Sequence, residues 1–180
     1  MNLVREILDR VILVGAVLAA GCVPSFIAQY RQRLGGMLDQ ANRDLALFQD
    51  VANRFHGGDI RRLIKHHLAS TDPTFRTEGT TIQTMVETVA RLKSNLAALN
   101  ADLFTQVRWI AQEGDAAVAK ATWDSFVPAM SFTGEALIFA FATGVVIWLV
   151  FLVVWFGAAR FFGLVFFSRR AGAWAVLKKK

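Results

Sequence analysis

Two long uncharged segments constrain the fold of this chain more than any other feature. Residues 11–28 and 136–159 contain no Asp, Glu, Lys or Arg. A helix needs about 20 apolar residues to cross a hydrocarbon core of about 30 Å. Because backbone groups in lipid must be hydrogen-bonded within the chain, such segments cross as helices. We therefore expect two transmembrane helices, and the 54% hydrophobic composition agrees with that expectation.

The first segment has three possible interpretations. A cleaved signal peptide needs a positive leader and a short apolar stretch, whereas residues 1–10 have balanced charge and the apolar stretch here is long. A lipoprotein signal is possible because the only cysteine, Cys22, follows small residues, although Ala19 stands where such signals usually have leucine. We favour an uncleaved span with Pro24 near its outer end.

The net charge of +6 lies entirely in the last 21 residues. Elsewhere the charges cancel, since residues 29–133 contain twelve Lys/Arg and eleven Asp/Glu and Glu135 balances the remainder. A basic tail directly after an apolar segment favours an anionic lipid surface, at roughly 1 kcal/mol per basic side chain. We expect no binding of nucleic acid, and we expect anionic-lipid contact from Arg160, Arg169, Arg170, Lys178, Lys179 and Lys180.

The basic tail also predicts the topology. Flanking Lys and Arg residues mark the cytoplasmic side, so two spans place both termini in the cytoplasm. We expect residues 1–28 to form the cytoplasmic N-terminus and first span, residues 29–133 a periplasmic domain, residues 134–159 the second span, and residues 160–180 an aromatic and basic interfacial tail. Trp123, Phe126 and Phe132 are expected near the membrane interface, which aromatic rings favour.

Heptad patterns in the middle of the chain predict a helical hairpin. Apolar residues alternate at steps of three and four, which is the pattern of a coiled-coil seam. Between the two stripes, Gly57-Gly58 can end a helix and Asp59 and Asp72 can each cap a new one. The fold class is therefore an all-α membrane protein in which two transmembrane helices flank an antiparallel, coiled-coil-like hairpin with a short tip helix. The predicted seam comprises Leu34, Leu38, Leu45, Phe48, Phe55, Ile82, Met85, Val89, Leu92, Leu96, Leu99 and Leu103, and continues through Val107 and Ile110.

Small residues recur every four positions in both spans. Such spacing lets helix backbones approach closely in lipid. The predicted transmembrane packing residues are Gly15, Ala19, Ala136, Ala140 and Gly144.

Motifs for catalysis or cofactor binding do not stand out in the sequence. It contains no nucleophile-elbow serine, no phosphate-binding glycine loop and no dinucleotide fingerprint. His66 and His67 are adjacent and thus poorly placed to share one ion, although His56 and His67 together with Asp59 offer a weak alternative. We expect no catalytic, cofactor-binding or metal site.

Four short stretches carry a resemblance to a known family. They are VPSFIAQYRQRL at residues 23–34, FHGGDI at 55–60, STDPTF at 70–75 and TWDSFVP at 122–128. Together they resemble a bacterial family known as domain of unknown function 2937, and the likeness covers most of residues 20–155. The resemblance implies a Gram-negative inner-membrane protein and supplies no activity.

These observations favour a non-catalytic scaffold or accessory subunit, which forms a homo-oligomer or docks onto a larger inner-membrane complex. Two alternatives remain open. One is a periplasmic ligand-sensing module that signals through a partner, and the other is a lipid-binding membrane organiser.

Overall fold

The computed structural model describes the backbone of residues 2–177 and the side chains of residues 6–157 and 160. Over these residues the chain is helical, without strands, which confirms the all-α prediction. The helices are α1 (Asn2–Phe55), α2 (Ile60–Leu68), α3 (Pro73–Ala98), α4 (Leu103–Glu113), α5 (Ala116–Asp124) and α6 (Gly134–Leu177). The chain divides into two compact units: unit 1 comprises Met1–Val23 and Ala129–Lys180, and unit 2 comprises Pro24–Pro128.

Two of the helices contain segments long and apolar enough to cross a membrane. One lies in the Glu6–Phe55 part of α1 and the other is Gly134–Gly157 of α6. Large apolar side chains of both segments are exposed, including Val11 at 60%, Ile138 at 71% and Val153 at 73%. A surface of this kind is satisfied by hydrocarbon, so both features favour association with a membrane.

Small residues form the contact between the two segments within unit 1. Ala16 and Ala20 of α1 and Ala136 and Ala140 of α6 are each at least nine-tenths buried. Gly144 is buried as well, and a Cβ built on it would meet the side chain and the main chain of Val17. The close backbone approach predicted from the small residues of the second segment is thus present inside the chain.

The small residues predicted for the first segment lie on another face. Gly15 and Ala19 are exposed, and a Cβ added to Gly15 would meet nothing within 4 Å. The neighbouring pair Ala16 and Ala20 has the same four-residue spacing and takes the contact with α6 instead. The four-residue spacing alone does not distinguish the two pairs, because small side chains occur on several faces of the helix in this region.

One polar contact was not predicted in unit 1. The indole Nε1–H of Trp148 donates to Oδ1 of Asp9 at 2.7 Å, and both side chains are half-buried. In the sequence, Asp9 is one of the charged residues that balance one another within residues 1–10. Trp148 is 139 residues away from Asp9 in the chain, so no local sequence pattern predicts the pair.

Aspartates begin four of the helices in unit 2. Asp59, Asp72, Asp102 and Asp115 each accept a hydrogen bond from a backbone N–H in the first turn of α2, α3, α4 and α5, respectively. Such caps satisfy helix N–H groups that have no partner within the helix. Gly57 and Gly58 have φ angles of 62° and 81°, a left-handed conformation that favours glycine and that ends α1.

Two buried clusters hold unit 2 together. The first contains Tyr30 and Leu34 of α1, Leu92 and Leu99 from α3 and its cap, and Val118 of α5. The second contains Ala52 of α1, Leu63 of α2 and Ile82 of α3. The early part of α1 in this unit therefore meets the end of α3, and the end of α1 meets the start of α3.

The structure corrects the heptad prediction at both ends. The second stripe was expected to continue through Leu103 to Ile110, but the helix breaks after Ala98 and Leu103 begins α4. The Asp102 cap makes this break possible. At the other end, Phe55 is 75% exposed because α2 covers Ala52 and the chain turns away at Gly57.

We predict that Gly144→Ala destabilises unit 1 whereas Gly15→Ala does not. The added methyl group at residue 144 overlaps Val17, including its backbone, and overpacking of this kind costs about 1–3 kcal/mol. The measurement is the midpoint of denaturant-induced unfolding of the full chain in detergent. Equal midpoints for the two variants would show that the close approach at Gly144 is absent.

Candidate functional site

One turn of α1 collects hydrogen bonds from distant parts of unit 2. It consists of residues 29–33, which follow directly after the first uncharged segment. Gln29, Tyr30, Arg31 and Arg33 each bond to a residue between 68 and 98 positions away in the sequence. We call this turn the base turn.

Tyr30 is the buried centre of the base turn. Its hydroxyl oxygen accepts a hydrogen bond from the backbone N–H of Asp115 at 3.0 Å. Burial raises the pKa of Tyr30 above its ordinary value of 10.0, although the hydrogen bond from Asp115 acts in the opposite direction. The phenol is therefore neutral at physiological pH and acts as a fixed acceptor at the start of α5.

Arg31 holds the corner between α3 and α4. Its Nη1 donates to the carbonyl oxygen of Leu99 at 3.1 Å, and its Nη2 donates to Oδ1 of Asn100 at 2.5 Å. Across the same corner, hydrogen bonds from the Thr105 hydroxyl and N–H hold the pKa of Asp102 below its ordinary value of 3.8. The hydrogen bonds of Arg31 and Asp102 thus stabilise the break between α3 and α4, which the heptad pattern did not predict.

Arg33 and Gln29 face the end of α5. Nη2 of Arg33 donates to Oγ of Ser125 at 2.8 Å, and Nε2 of Gln29 donates to the carbonyl oxygen of Val127 at 3.0 Å. These residues border a shallow cavity of about 290 Å³. The residues that line it all have polar side chains, and none of them is a carboxylate: Gln29, Gln32, Arg33, Thr122 and Ser125.

Aromatic rings gather near the same end of α5. Phe26 lies 5.6 Å from Phe126 and 6.2 Å from Trp123, measured between ring centroids, and Trp123 stacks on Phe126 at 6.0 Å. Trp123 is nevertheless 69% exposed. An exposed tryptophan within an aromatic cluster is characteristic of surfaces that contact a membrane interface or another protein.

Histidines meet at the corner between α1 and α2. The rings of His56 and His66 are 5.3 Å apart, and those of His66 and His67 are 6.0 Å apart. His67 instead turns inward, where Nδ1 lies 3.0 Å from the Leu63 carbonyl and Nε2 lies 3.5 Å from Glu78. The proposed partnership of His56 with His67 is therefore not the one that forms. Within the described part of the chain, no group of three metal-ligating side chains is found.

An exposed apolar stripe runs along α1 toward the tip. Leu47 is 70% exposed, Val51 39% and Phe55 75%, and their four-residue spacing places them on one side of the helix. Met37, 41% exposed, lies further back on the same helix. We call Leu47, Val51 and Phe55 the α1 stripe.

Beside the α1 stripe lies a groove between α1 and α3. Its first part has a volume of about 600 Å³. A second, adjoining part of about 710 Å³ is bordered by Phe48 and Glu78 and shares Thr77 and Thr81 with the first. The first part is lined by Ala41, Asp44, Thr77, Thr80, Thr81, Thr84, Met85 and Thr88, and we call the whole the threonine groove.

The family profile described as Protein of unknown function (DUF2937) matches residues 4–163. The chain belongs to this family. The match covers most of the chain and confirms the resemblance drawn from four short motifs. No curated protein and no solved structure matches the chain.

Three of the stretches that carry the resemblance coincide with parts of the site. The stretch at residues 23–34 contains the base turn and Phe26, FHGGDI contains the corner between α1 and α2, which we call the tip corner, and TWDSFVP contains Trp123, Phe126 and Ser125. These stretches therefore mark places where distant segments of the chain meet.

All of the predicted seam residues except the exposed Phe55 are buried or partly buried. Leu34, Ile82, Val89, Leu92, Leu99 and Leu103 are buried, and Leu38, Leu45, Phe48, Met85 and Leu96 are half-buried. Of the predicted lipid-contact residues, Arg160 is exposed. The side chains of Arg169, Arg170, Lys178, Lys179 and Lys180 lie outside the described residues.

We predict that Tyr30→Phe lowers the free energy of unfolding by about 1 kcal/mol, because the Asp115 N–H loses its acceptor while the ring stays in place. The measurement is chemical denaturation of the full chain, followed by circular dichroism. Tyr30→Leu serves as a comparison that also removes the ring, and it should cost more. An unfolding midpoint for Tyr30→Phe equal to that of the wild type would contradict a structural role for the hydroxyl.

Proposed function

We propose that this DUF2937 member is a non-catalytic scaffold or accessory subunit of the bacterial inner membrane. In this proposal the two apolar segments span the bilayer, both termini are cytoplasmic, and unit 2 is a periplasmic antiparallel helical hairpin. The hairpin presents the α1 stripe and the threonine groove to a second copy or to a larger membrane complex.

The contacts of unit 2 support the hairpin part of the proposal. Tyr30 and Leu34 cluster with Leu92 and Leu99, whereas Ala52 clusters with Ile82. Sequence numbers that rise along α1 thus correspond to falling numbers along α3. That correspondence is what two antiparallel helices joined by a short connection require.

The α1 stripe is the observation that carries the docking proposal. Leu47 and Phe55 are each at least 70% exposed, and the polar residues Asp50, Asn53 and Arg54 are exposed between them. Isolated exposed apolar residues are ordinary, but three in line on one helix beside a groove form a surface that water solvates poorly. A partner helix laid along the stripe would remove these side chains from water.

The chemistry of the threonine groove favours a helix over a small polar ligand. The hydroxyls of Thr77, Thr81 and Thr84 donate to the carbonyl oxygens four residues earlier, at 2.9–3.0 Å. Thr80 does the same at 3.2 Å. Because these donors are already used within α3, the groove presents methyl groups to its occupant, with Asp44 as the charged group of its first part and Glu78 as that of its second. Recognition of a small polar molecule requires several free, convergent polar groups.

Both alternatives have less support. A ligand-sensing module would need the threonine groove to supply specific hydrogen bonds, whereas the hydroxyls of Thr77, Thr81 and Thr84 donate to carbonyl oxygens within α3. A lipid organiser would act through the basic tail, whose terminal side chains lie outside the described residues. The docking proposal draws on the α1 stripe, which is apolar and exposed.

We predict that a photo-crosslinking residue at position 47 captures a partner, whereas one at position 42 does not. Leu47 belongs to the α1 stripe, while Asn42 is exposed on a different side of the same helix. The experiment uses the full chain carrying benzoylphenylalanine at either position, irradiated in intact cells at native expression level. Adducts are resolved by mass and identified by peptide sequencing.

The expected result is one dominant adduct of discrete mass from position 47, several times more abundant than any from position 42. An adduct with the mass of two chains would identify a homo-oligomer, and a foreign membrane subunit would identify the complex. Equal, weak labelling from both positions would refute docking along the α1 stripe.

A further inference from the structure

The polar cavity beside Arg33 is not used by docking along the α1 stripe. It lies at the opposite end of unit 2 from the tip corner, at the base turn and the end of α5. We propose that this cavity binds the phosphodiester of a phospholipid headgroup, held by Arg33 and Gln32. The proposal rests on the membrane placement proposed above, and it assigns a lipid site distinct from the basic tail.

Arg33 uses fewer of its hydrogen-bond donors within the chain than its neighbour Arg31 does. The guanidinium of Arg31 is bonded to Leu99 and Asn100, and the ammonium of Lys120 is paired with Asp124 at 2.6 Å. Among the described residues, Arg33 forms no ion pair, and its one hydrogen bond goes to the Ser125 hydroxyl. A guanidinium has five N–H donors, so most of its donors remain free for an anion.

The Ser125 contact fixes the direction of Arg33. The Ser125 hydroxyl donates to the Ala121 carbonyl at 3.0 Å and accepts from Nη2 of Arg33 at 2.8 Å. The guanidinium thereby lies along one wall of the cavity, where it stays accessible from solvent. A planar, oriented guanidinium matches two oxygens of a phosphate group.

The rest of the lining suits an anion. Gln32 lies three residues after Gln29 and next to Arg33, so its amide projects from the same region of α1. Gln29 is bound to Val127 and Ser25 and forms a fixed wall. Since none of the lining residues is acidic, a bound phosphate meets no repulsion from the walls.

Two further observations indicate a lipid rather than a free anion. Arg33 follows the last residue of the uncharged segment by five positions, which is about 7 Å along the helix and corresponds to the outer part of the headgroup layer. Trp123 is 69% exposed beside Phe26 and Phe126, and such rings favour the zone where headgroups join acyl chains. The cavity thus offers a cation for the phosphate and aromatic rings for the carbon atoms beside it.

The test measures lipid retention by the purified full chain in a non-ionic detergent. The probes are phosphatidylglycerol, diacylglycerol with the same acyl chains, and inorganic phosphate, and bound molecules are counted by native mass spectrometry. We expect the wild type to retain phosphatidylglycerol and not diacylglycerol. Arg33→Gln should weaken phosphatidylglycerol binding at least about fivefold, the usual effect of one basic side chain at a membrane surface.

Two variants control for charge and for folding. Lys120→Gln removes an equal charge from α5 outside the cavity and should leave binding unchanged. Arg33→Lys keeps the charge but lacks the planar guanidinium, and its affinity for phosphatidylglycerol should lie between those of the wild type and Arg33→Gln. Because every variant retains the basic tail, differences among them report on the cavity alone.

The results that would contradict the lipid site can be distinguished from one another. Equal phosphatidylglycerol binding by Arg33→Gln and the wild type overturns the site. Binding of inorganic phosphate at the same concentration, with the same dependence on Arg33, overturns a lipid ligand in favour of a free anion. Alkaline carbonate extraction separates the premises: a wild-type chain released from membranes overturns membrane placement and this site together, whereas a retained chain without lipid binding overturns the site alone.

Discussion

The base turn of α1 is the constraint on which unit 2 depends. Within five residues, Gln29, Tyr30, Arg31 and Arg33 bind the end of α5, the start of α5 and the corner between α3 and α4. Each bond satisfies a carbonyl, an N–H or a hydroxyl where a helix begins or ends, and such groups have no partner within their own helix. The base turn therefore determines where three chain segments stop and restart, and the apolar clusters fill the space between them.

The sequence predicts helices and their starting points well, because these features depend on near neighbours. Asp59 and Asp72 cap helices where the sequence placed them, and the Gly57-Gly58 corner ends α1. Burial follows the heptad pattern at residues such as Leu34, Ile82 and Leu99. Local rules suffice for these residues because each one acts within one or two helical turns.

The sequence does not predict the contacts that close the fold. The break before Leu103 requires Arg31, which is 68 residues from its partner Leu99. The Asp9–Trp148 pair and the Tyr30–Asp115 pair have even longer separations. In unit 1, the choice of Ala16 and Ala20 over Gly15 and Ala19 depends on how α1 is rotated against α6, which a single helix pattern cannot specify. The candidate lipid site was missed for the same reason, since Arg33 and Ser125 are 92 residues apart.

These separations also set an order of assembly for unit 2. The tip cluster joins Ala52, Leu63 and Ile82, which lie within 30 residues of one another, so it can close as soon as the start of α3 has been synthesised. The base turn cannot form its hydrogen bonds until Asp115 and Ser125 have been synthesised, because these bonds close long loops of the chain. During that interval Tyr30 and Leu34 have no cover from α5. The base of unit 2 is therefore the part of the nascent chain that is exposed longest to chaperones and proteases.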